Sequence, residues 1–125
     1  MARLEPLGVL EAWVMDVVWR KGSVTARDVT EAQRGRRRAY TTIMTTMDRL
    51  HRKGLLSRTK DGLAWLYAAK LGRDDFERNL ADQLASEIVA SHGEVGLAAF
   101  VDATAKDAEL LERLAELVEA RRDEK

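Results

Sequence analysis

From Arg36 to Leu56 helical periodicity opens at a basic run and closes at a glycine, and the rest of the chain has to fold around that stretch. With Ala39 to Lys53 helical, Ala39, Ile43, Met47 and Leu50 fall on one stripe, and Thr41, Thr45, Asp48, Arg49 and Arg52 fall opposite. Ordinary solvated faces favour Glu, Lys and Gln. The four threonines here are poor helix formers and need another reason to be present. Base edges and phosphates supply one, since Thr offers a hydroxyl to either and a methyl to thymine, while Arg pairs with guanine or phosphate. Gly54 ends the helix after a last turn rich in Arg and Lys. The pattern predicts a DNA recognition helix.

At 125 residues and 46% hydrophobic content the chain has enough apolar mass for one domain, or for a domain with an appendage. There is no cysteine, which excludes disulfides, thiolate metal sites and a cysteine nucleophile. Neither a run of about 18 apolar residues nor a basic-then-apolar N-terminal segment is present, so the expectation is a cytoplasmic protein with no direct membrane insertion. The formal net charge of zero conceals a segregation of signs. Residues 1–75 hold 15 Lys+Arg against 9 Asp+Glu, a net +6, and residues 76–125 hold 6 against 12, a net −6. A nucleic-acid-binding front joined to a non-binding rear has this distribution, because phosphate affinity follows local positive charge.

Pro6 sits at the expected first turn of a helix in which Leu7, Leu10, Val14, Val17 and Val18 recur at helical spacing up to Lys21-Gly22. Trp13 and Trp19 are read as packing residues, since no basic interleaving accompanies them. Ser23-Val24 is short enough to be only a minor strand. Thr25, with Asp28 three residues on, predicts a capped helix running to about Gln33. The basic connection Arg34 to Arg38 then leads directly into the threonine helix, which gives a helix-turn-helix pattern with Arg36, Arg37 and Arg38 placed to clamp phosphate.

After Gly54 the period changes to two. Leu55 to Lys60 and Leu63 to Ala68 read as strands joined at Asp61-Gly62, a wing with Arg58 and Lys60 alternating outward toward phosphate or the minor groove. Trp65 and Tyr67 share a strand face and are expected to pack against the helices. From Arg73 to Ser91, Phe76, Leu80, Leu84 and Ile88 recur every four residues. His92-Gly93 breaks that helix, Val95 to Val101 forms a short apolar one, and Thr104-Ala105-Lys106-Asp107 caps a last helix carrying Leu110, Leu111, Leu114, Leu117 and Val118. These stripes exceed what the rear half can cover, so pairing with a second copy is expected through Phe76, Leu80, Leu84, Ile88, Phe100, Leu110, Leu114 and Leu117.

The two histidines, His51 and His92, are far apart, and no H-E-x-x-H, glycine-rich phosphate loop or G-x-S-x-G occurs. The chain is therefore read as a non-enzyme with no cofactor and no metal site. Two rivals to a DNA-binding regulator remain. One is a protein-interaction adaptor working through its acidic helices; the other is a winged-helix regulator gated by a small molecule between its helices.

Leu7-Gly8, Leu10-Glu11, Val14-Met15 and Trp19, then Val24-Thr25 and Arg27-Asp28-Val29, then Ala39 to Met47 with Arg49-Leu50 and Lys53-Gly54-Leu55-Leu56, resemble the BlaI/MecI (penicillinase repressor) family of bacterial transcriptional regulators. The Ala39-Tyr40-Thr41-Thr42 segment is the specific part. The likeness is dense to about Tyr67 and looser afterwards. It implies a mainly α fold with a small β-hairpin: a winged helix-turn-helix domain over residues 1–72 and a helical dimerisation domain over 73–125, the dimer bound to a palindromic operator. On that reading Thr41, Thr42, Thr45 and Arg49 enter the major groove, Tyr40 meets a phosphate or a thymine methyl, and Arg36 to Arg38, Arg58 and Lys60 hold the backbone. In the family a membrane-bound sensor metalloprotease triggers cleavage at an Asn-Phe bond in the dimerisation domain. The matching segment here runs from Gly96 to Val101 with Ala99 before Phe100, so these two residues mark the possible cleavage point, and a plain core role is the other reading of Phe100.

Overall fold

A computed structural model of the chain describes residues 4–124. The elements are α1 (Val9–Lys21), α2 (Ala26–Glu31), α3 (Tyr40–Arg52), β1 (Leu56–Asp61), β2 (Ala64–Ala69), α4 (Arg73–Thr104) and α5 (Ala108–Asp123). Two compact units divide within α4, Met1–Ala81 and Asp82–Lys125. The mainly α architecture with one hairpin is the expected class.

In the first unit, local chemistry sets the element ends. Gly8 N–H donates to the Glu11 carboxylate at 3.1 Å where α1 begins, so Pro6 lies ahead of the helix and not in its first turn. At the other end Gly22 adopts φ 93° and its N–H closes on the Val18 carbonyl at 2.8 Å. Thr25 and Asp28 form the reciprocal box read from the sequence: Asp28 N–H donates to Thr25 Oγ1 at 3.1 Å, and Thr25 N–H donates to Asp28 Oδ2 at 2.9 Å. The helix they start ends at Glu31, short of Gln33.

Val14, Val17 and Val18 from α1, Val29 from α2, Ile43, Met47 and Leu50 from α3, and Leu56 and Tyr67 from the hairpin form one buried core. Each fully buried aliphatic side chain of this kind contributes about 1.5–3 kcal/mol by leaving water. Ala39, placed on the same stripe by periodicity, is exposed, and Thr46 takes a buried place instead, its hydroxyl donating to the Thr42 carbonyl at 2.8 Å.

The hairpin pairs Leu56 with Ala69 through to Asp61 with Ala64, which moves the two-residue turn to Gly62-Leu63, one residue beyond the expected Asp-Gly. Gly62 has φ 64° and Leu63 stays at negative φ, as a turn with glycine at its first central position requires. Val24 joins the hairpin as a one-residue third strand, exchanging backbone hydrogen bonds with Tyr67 at 2.9 and 2.7 Å. Tyr67 is buried as expected. Trp65, from the same face, is not packed on the helices; it lies exposed on the hairpin beneath two cations.

Phe76 and Leu80, expected in the seam between copies, pack within their own chain. Phe76 is buried 5.6 Å from the Trp19 ring and Leu80 packs on the same core, so these residues complete the first unit of their own chain. Trp19 Nε1–H donates to the Leu71 carbonyl at 2.9 Å, which fixes the ring that receives Phe76. The first unit therefore extends through Ala81, beyond the expected boundary at residue 72.

In the second unit α4 is interrupted at Gly93, whose φ 47° and ψ −126° break the ladder at the expected His92-Gly93 stop. Gly96 follows in a tight place, where an added Cβ would lie 2.8 Å from the Ile88 carbonyl oxygen. Within the expected Thr104–Asp107 cap it is Asp107 that caps α5, accepting from Glu109 N–H at 3.0 Å and Leu110 N–H at 3.2 Å, while the Thr104 hydroxyl donates to the Phe100 carbonyl. Among the described residues from Asp82 onward, only Gly96 is buried. Leu84, Phe100, Leu110 and Leu117 are exposed, and Ile88 and Leu114 are half-buried. By length and composition α4 is apolar enough to cross a bilayer, with a window of mean hydropathy 1.2. Its middle holds Glu87, Ser91, His92 and Glu94 around the Gly93 kink, a sequence suited to a protein seam and costly in lipid.

Candidate nucleic-acid interface

Helix α3 is held from behind along its length and at its C-terminal end. Ile43, Met47 and Leu50 are wholly buried under α3. At its C-terminal end Lys53 Nζ donates to Glu11 Oε2 at 2.9 Å, an ion pair from the end of α3 to the start of α1. Burial works to raise the Glu11 pKa, but the Lys53 hydrogen bond, the Gly8 N–H and the charges of Lys53 and Arg49 outweigh it and hold the carboxyl below its ordinary value. Glu11 is thus an ionised buried acid whose position orients α3.

With that support, Tyr40, Thr41, Thr42, Met44, Thr45, Arg49 and Arg52 form one exposed face. The Thr45 hydroxyl donates to the Thr41 carbonyl at 2.9 Å, so it presents its acceptor lone pairs and methyl outward. Met44 is an addition to the face. A thioether carries no base- or phosphate-directed chemistry to single it out, although its place one turn from Thr41 and Asp48 marks it on a helical wheel.

The connection ahead of α3 is a constructed turn. Gln33 donates through Nε2 to the Arg38 carbonyl at 3.0 Å and accepts the Arg38 N–H at 2.8 Å, pinning the start of α3 to the end of α2. Arg37 donates through Nη2 to the Thr30 carbonyl at 2.7 Å, so part of its guanidinium caps α2. Arg36, Arg37 and Arg38 are all exposed, and α3 begins at Tyr40 behind an N-cap, Ala39, that has no side-chain hydrogen bond to offer. A basic loop running into uncapped helical N–H groups suits an anionic backbone.

On the wing the two expected cations differ. Lys60 is exposed, its Nζ 4.3 Å from the Trp65 ring centroid. Arg58, expected to point outward, is turned onto α3: its Nη1 donates to Asp48 Oδ1 at 2.9 Å and to the Tyr67 hydroxyl at 3.4 Å, and its guanidinium lies 4.2 Å over Trp65. Asp48 also accepts from Arg52 Nε at 3.0 Å through its other oxygen. At the turn Leu63 is fully exposed.

Comparison with known proteins agrees with this architecture. The penicillinase repressor family model matches residues 7–120. The chain is 42% identical over 122 residues to the transcriptional regulator BlaI of Mycobacterium tuberculosis, in two strains, covering 94% of this chain and 88% of that protein. The solution structure of the DNA binding domain of the repressor BlaI aligns with a TM-score of 0.50 at 25% identity, over 60% of this chain and 93% of that one. The complex structure of hsRosR-S1 aligns with a TM-score of 0.50 at 18% identity, over 94% and 93% of the two chains, and shares the fold. The chain belongs to the penicillinase repressor family, whose members are transcriptional repressors with a winged-helix DNA-binding domain and not enzymes.

Proposed function

We propose that the chain acts as a homodimer on a palindromic operator, each copy laying the exposed face of α3 in the major groove of one half-site. The observation that carries this reading is that face: Thr41, Thr42, Thr45 and Arg49 stand exposed on a helix anchored from behind, with Arg36 to Arg38 at its entrance and Lys60 on the adjoining hairpin. Hydroxyls, methyls and a guanidinium address base edges, while the loop and wing cations address phosphates. Tyr40, exposed at the helix start, meets a phosphate or a thymine methyl.

Dimerisation through the second unit rests on its lack of a core. A 43-residue span from Asp82 to Glu124 with no buried apolar side chain does not stabilise itself, and Leu84, Phe100, Leu110 and Leu117 are available for a second copy. Relief of repression follows from the same dependence. Ala99 is exposed and Phe100 half-exposed in the last part of α4, and a cut between them, triggered by a membrane-bound sensor metalloprotease, removes α5 from the seam.

Binding to selected genomic duplexes across a salt series tests the DNA reading. Affinity should fall steeply as salt rises, and absence of such a slope overturns it. Light scattering of Leu114→Asp should report a monomer. Mass spectrometry of the protein from cells under a β-lactam tests the cut: a fragment ending at Ala99 supports it, and intact protein during derepression excludes it.

A further inference from the structure

The recognition face carries one carboxylate, and it opposes the charge of everything around it. A phosphate approaching α3 meets Asp48 with the wrong sign, and Asp48 occupies a solvent-reaching position in which Asn or Gln would preserve the helix without that penalty. It does not stand idle. Both of its oxygens are engaged, one by Arg58 of the wing at 2.9 Å and the other by Arg52 one turn along α3 at 3.0 Å. Arg58 is further held by the Tyr67 hydroxyl and the Trp65 ring.

We propose that Asp48 is a specificity-determining residue that ties Arg58 and Arg52 back onto the protein, fixing the wing against α3 and withholding two cations from indiscriminate phosphate contact. This rests on the DNA-binding reading above and adds to it. Cations free to follow any backbone raise affinity for all sequences alike, whereas discrimination is the ratio of operator to non-specific affinity. A carboxylate that occupies those cations lowers the shared part and leaves the base contacts of Thr41, Thr45 and Arg49 to decide between sequences. Asp48 acts here as a positioning residue, through the arginines.

Asp48→Asn keeps the shape of the side chain and removes its charge. Measured on the full chain with random-sequence duplex DNA, its affinity at low salt should rise on the order of tenfold. The slope of log affinity against log salt should steepen by about 0.9 for each arginine released. The ratio of operator to random-sequence affinity should fall. Adding Arg58→Gln to Asp48→Asn should remove the part of the increment due to Arg58, and thermal melts of both variants verify the fold. An unchanged slope and unchanged random-sequence affinity in Asp48→Asn overturns the proposal. So does a loss confined to a single operator base pair at constant slope, which would make Asp48 a direct reader of cytosine. A wild-type chain that shows no salt-dependent binding at all would instead refute the DNA-binding reading beneath it.

Discussion

Truncating Phe76 to alanine tests where α4 belongs. The ring is 3% exposed, lies 5.6 Å from Trp19 and belongs to the core formed by α1, α3 and the hairpin. Removing a buried aromatic ring costs about 3–5 kcal/mol, from lost transfer energy and the cavity left behind. An edge-tilted partner such as Trp19 contributes about 0.5–1.5 kcal/mol of this. Because both rings sit within Met1–Ala81, the loss should appear in unfolding of that unit. Urea unfolding of the full chain, followed by tryptophan fluorescence at several protein concentrations, gives the number. The expected result is a fall of about 3 kcal/mol or more that is the same at every concentration. A chain ending at residue 81 should show the same loss, and one ending at residue 72 should already be destabilised, since it lacks Phe76 and Leu80. If Phe76→Ala costs under about 1 kcal/mol, or weakens dimerisation while sparing the first unit, the ring lies in the seam between copies and the assignment fails.

Three further outcomes are expected. Glu11→Gln should lower stability near neutral pH by about 1–3 kcal/mol, by leaving Lys53 without its carboxylate. Because the folded-state pKa of Glu11 is depressed, its contribution is complete above the unfolded value of about 4.3 and is lost as pH falls through the lower folded value; thermal melts should show the variant less acid-sensitive than wild type below that pH. Gly96→Ala places a Cβ 2.8 Å from the Ile88 carbonyl oxygen and should cost about 1–3 kcal/mol, read as a raised dimer dissociation constant by sedimentation; an unchanged constant would show that the kink at Gly93 adapts freely. Arg49→Ala should lose on the order of 1–3 kcal/mol of operator affinity in a fluorescence-anisotropy titration with the melting temperature unchanged, and equal affinity would remove Arg49 from the interface.

What was legible in the sequence was local. Thr25 and Asp28 are three residues apart, and their reciprocal hydrogen bonds follow from that spacing alone. Ile43, Met47 and Leu50 lie where helical periodicity puts them, and the wing follows from the change of period and the glycine at its tip. Asp61-Gly62 and Gly62-Leu63 both satisfy the glycine rule for a turn, and only the pairing register decides for the second. Periodicity also shows that a stripe is apolar without saying what covers it. Phe76 and Leu80 share a stripe with Leu84 and Ile88, yet Trp19, more than fifty residues earlier, claims the first of them. Long-range ion pairs were invisible for the same reason. Glu11 and Lys53 are 42 residues apart, and Arg58 looks like an outward strand residue until α3 brings Asp48 beside it.

On the proposed function, two copies of α3 read two half-sites. Hydroxyl-radical footprinting of the full chain on a genomic fragment selected by its own binding measures this directly. Two protected patches are expected, related by a two-fold axis and centred about 10 base pairs, or a multiple of that, apart, with both patches weakened together by Leu114→Asp. A single asymmetric patch whose occupancy is indifferent to Leu114→Asp, or no protection at low salt, would contradict it.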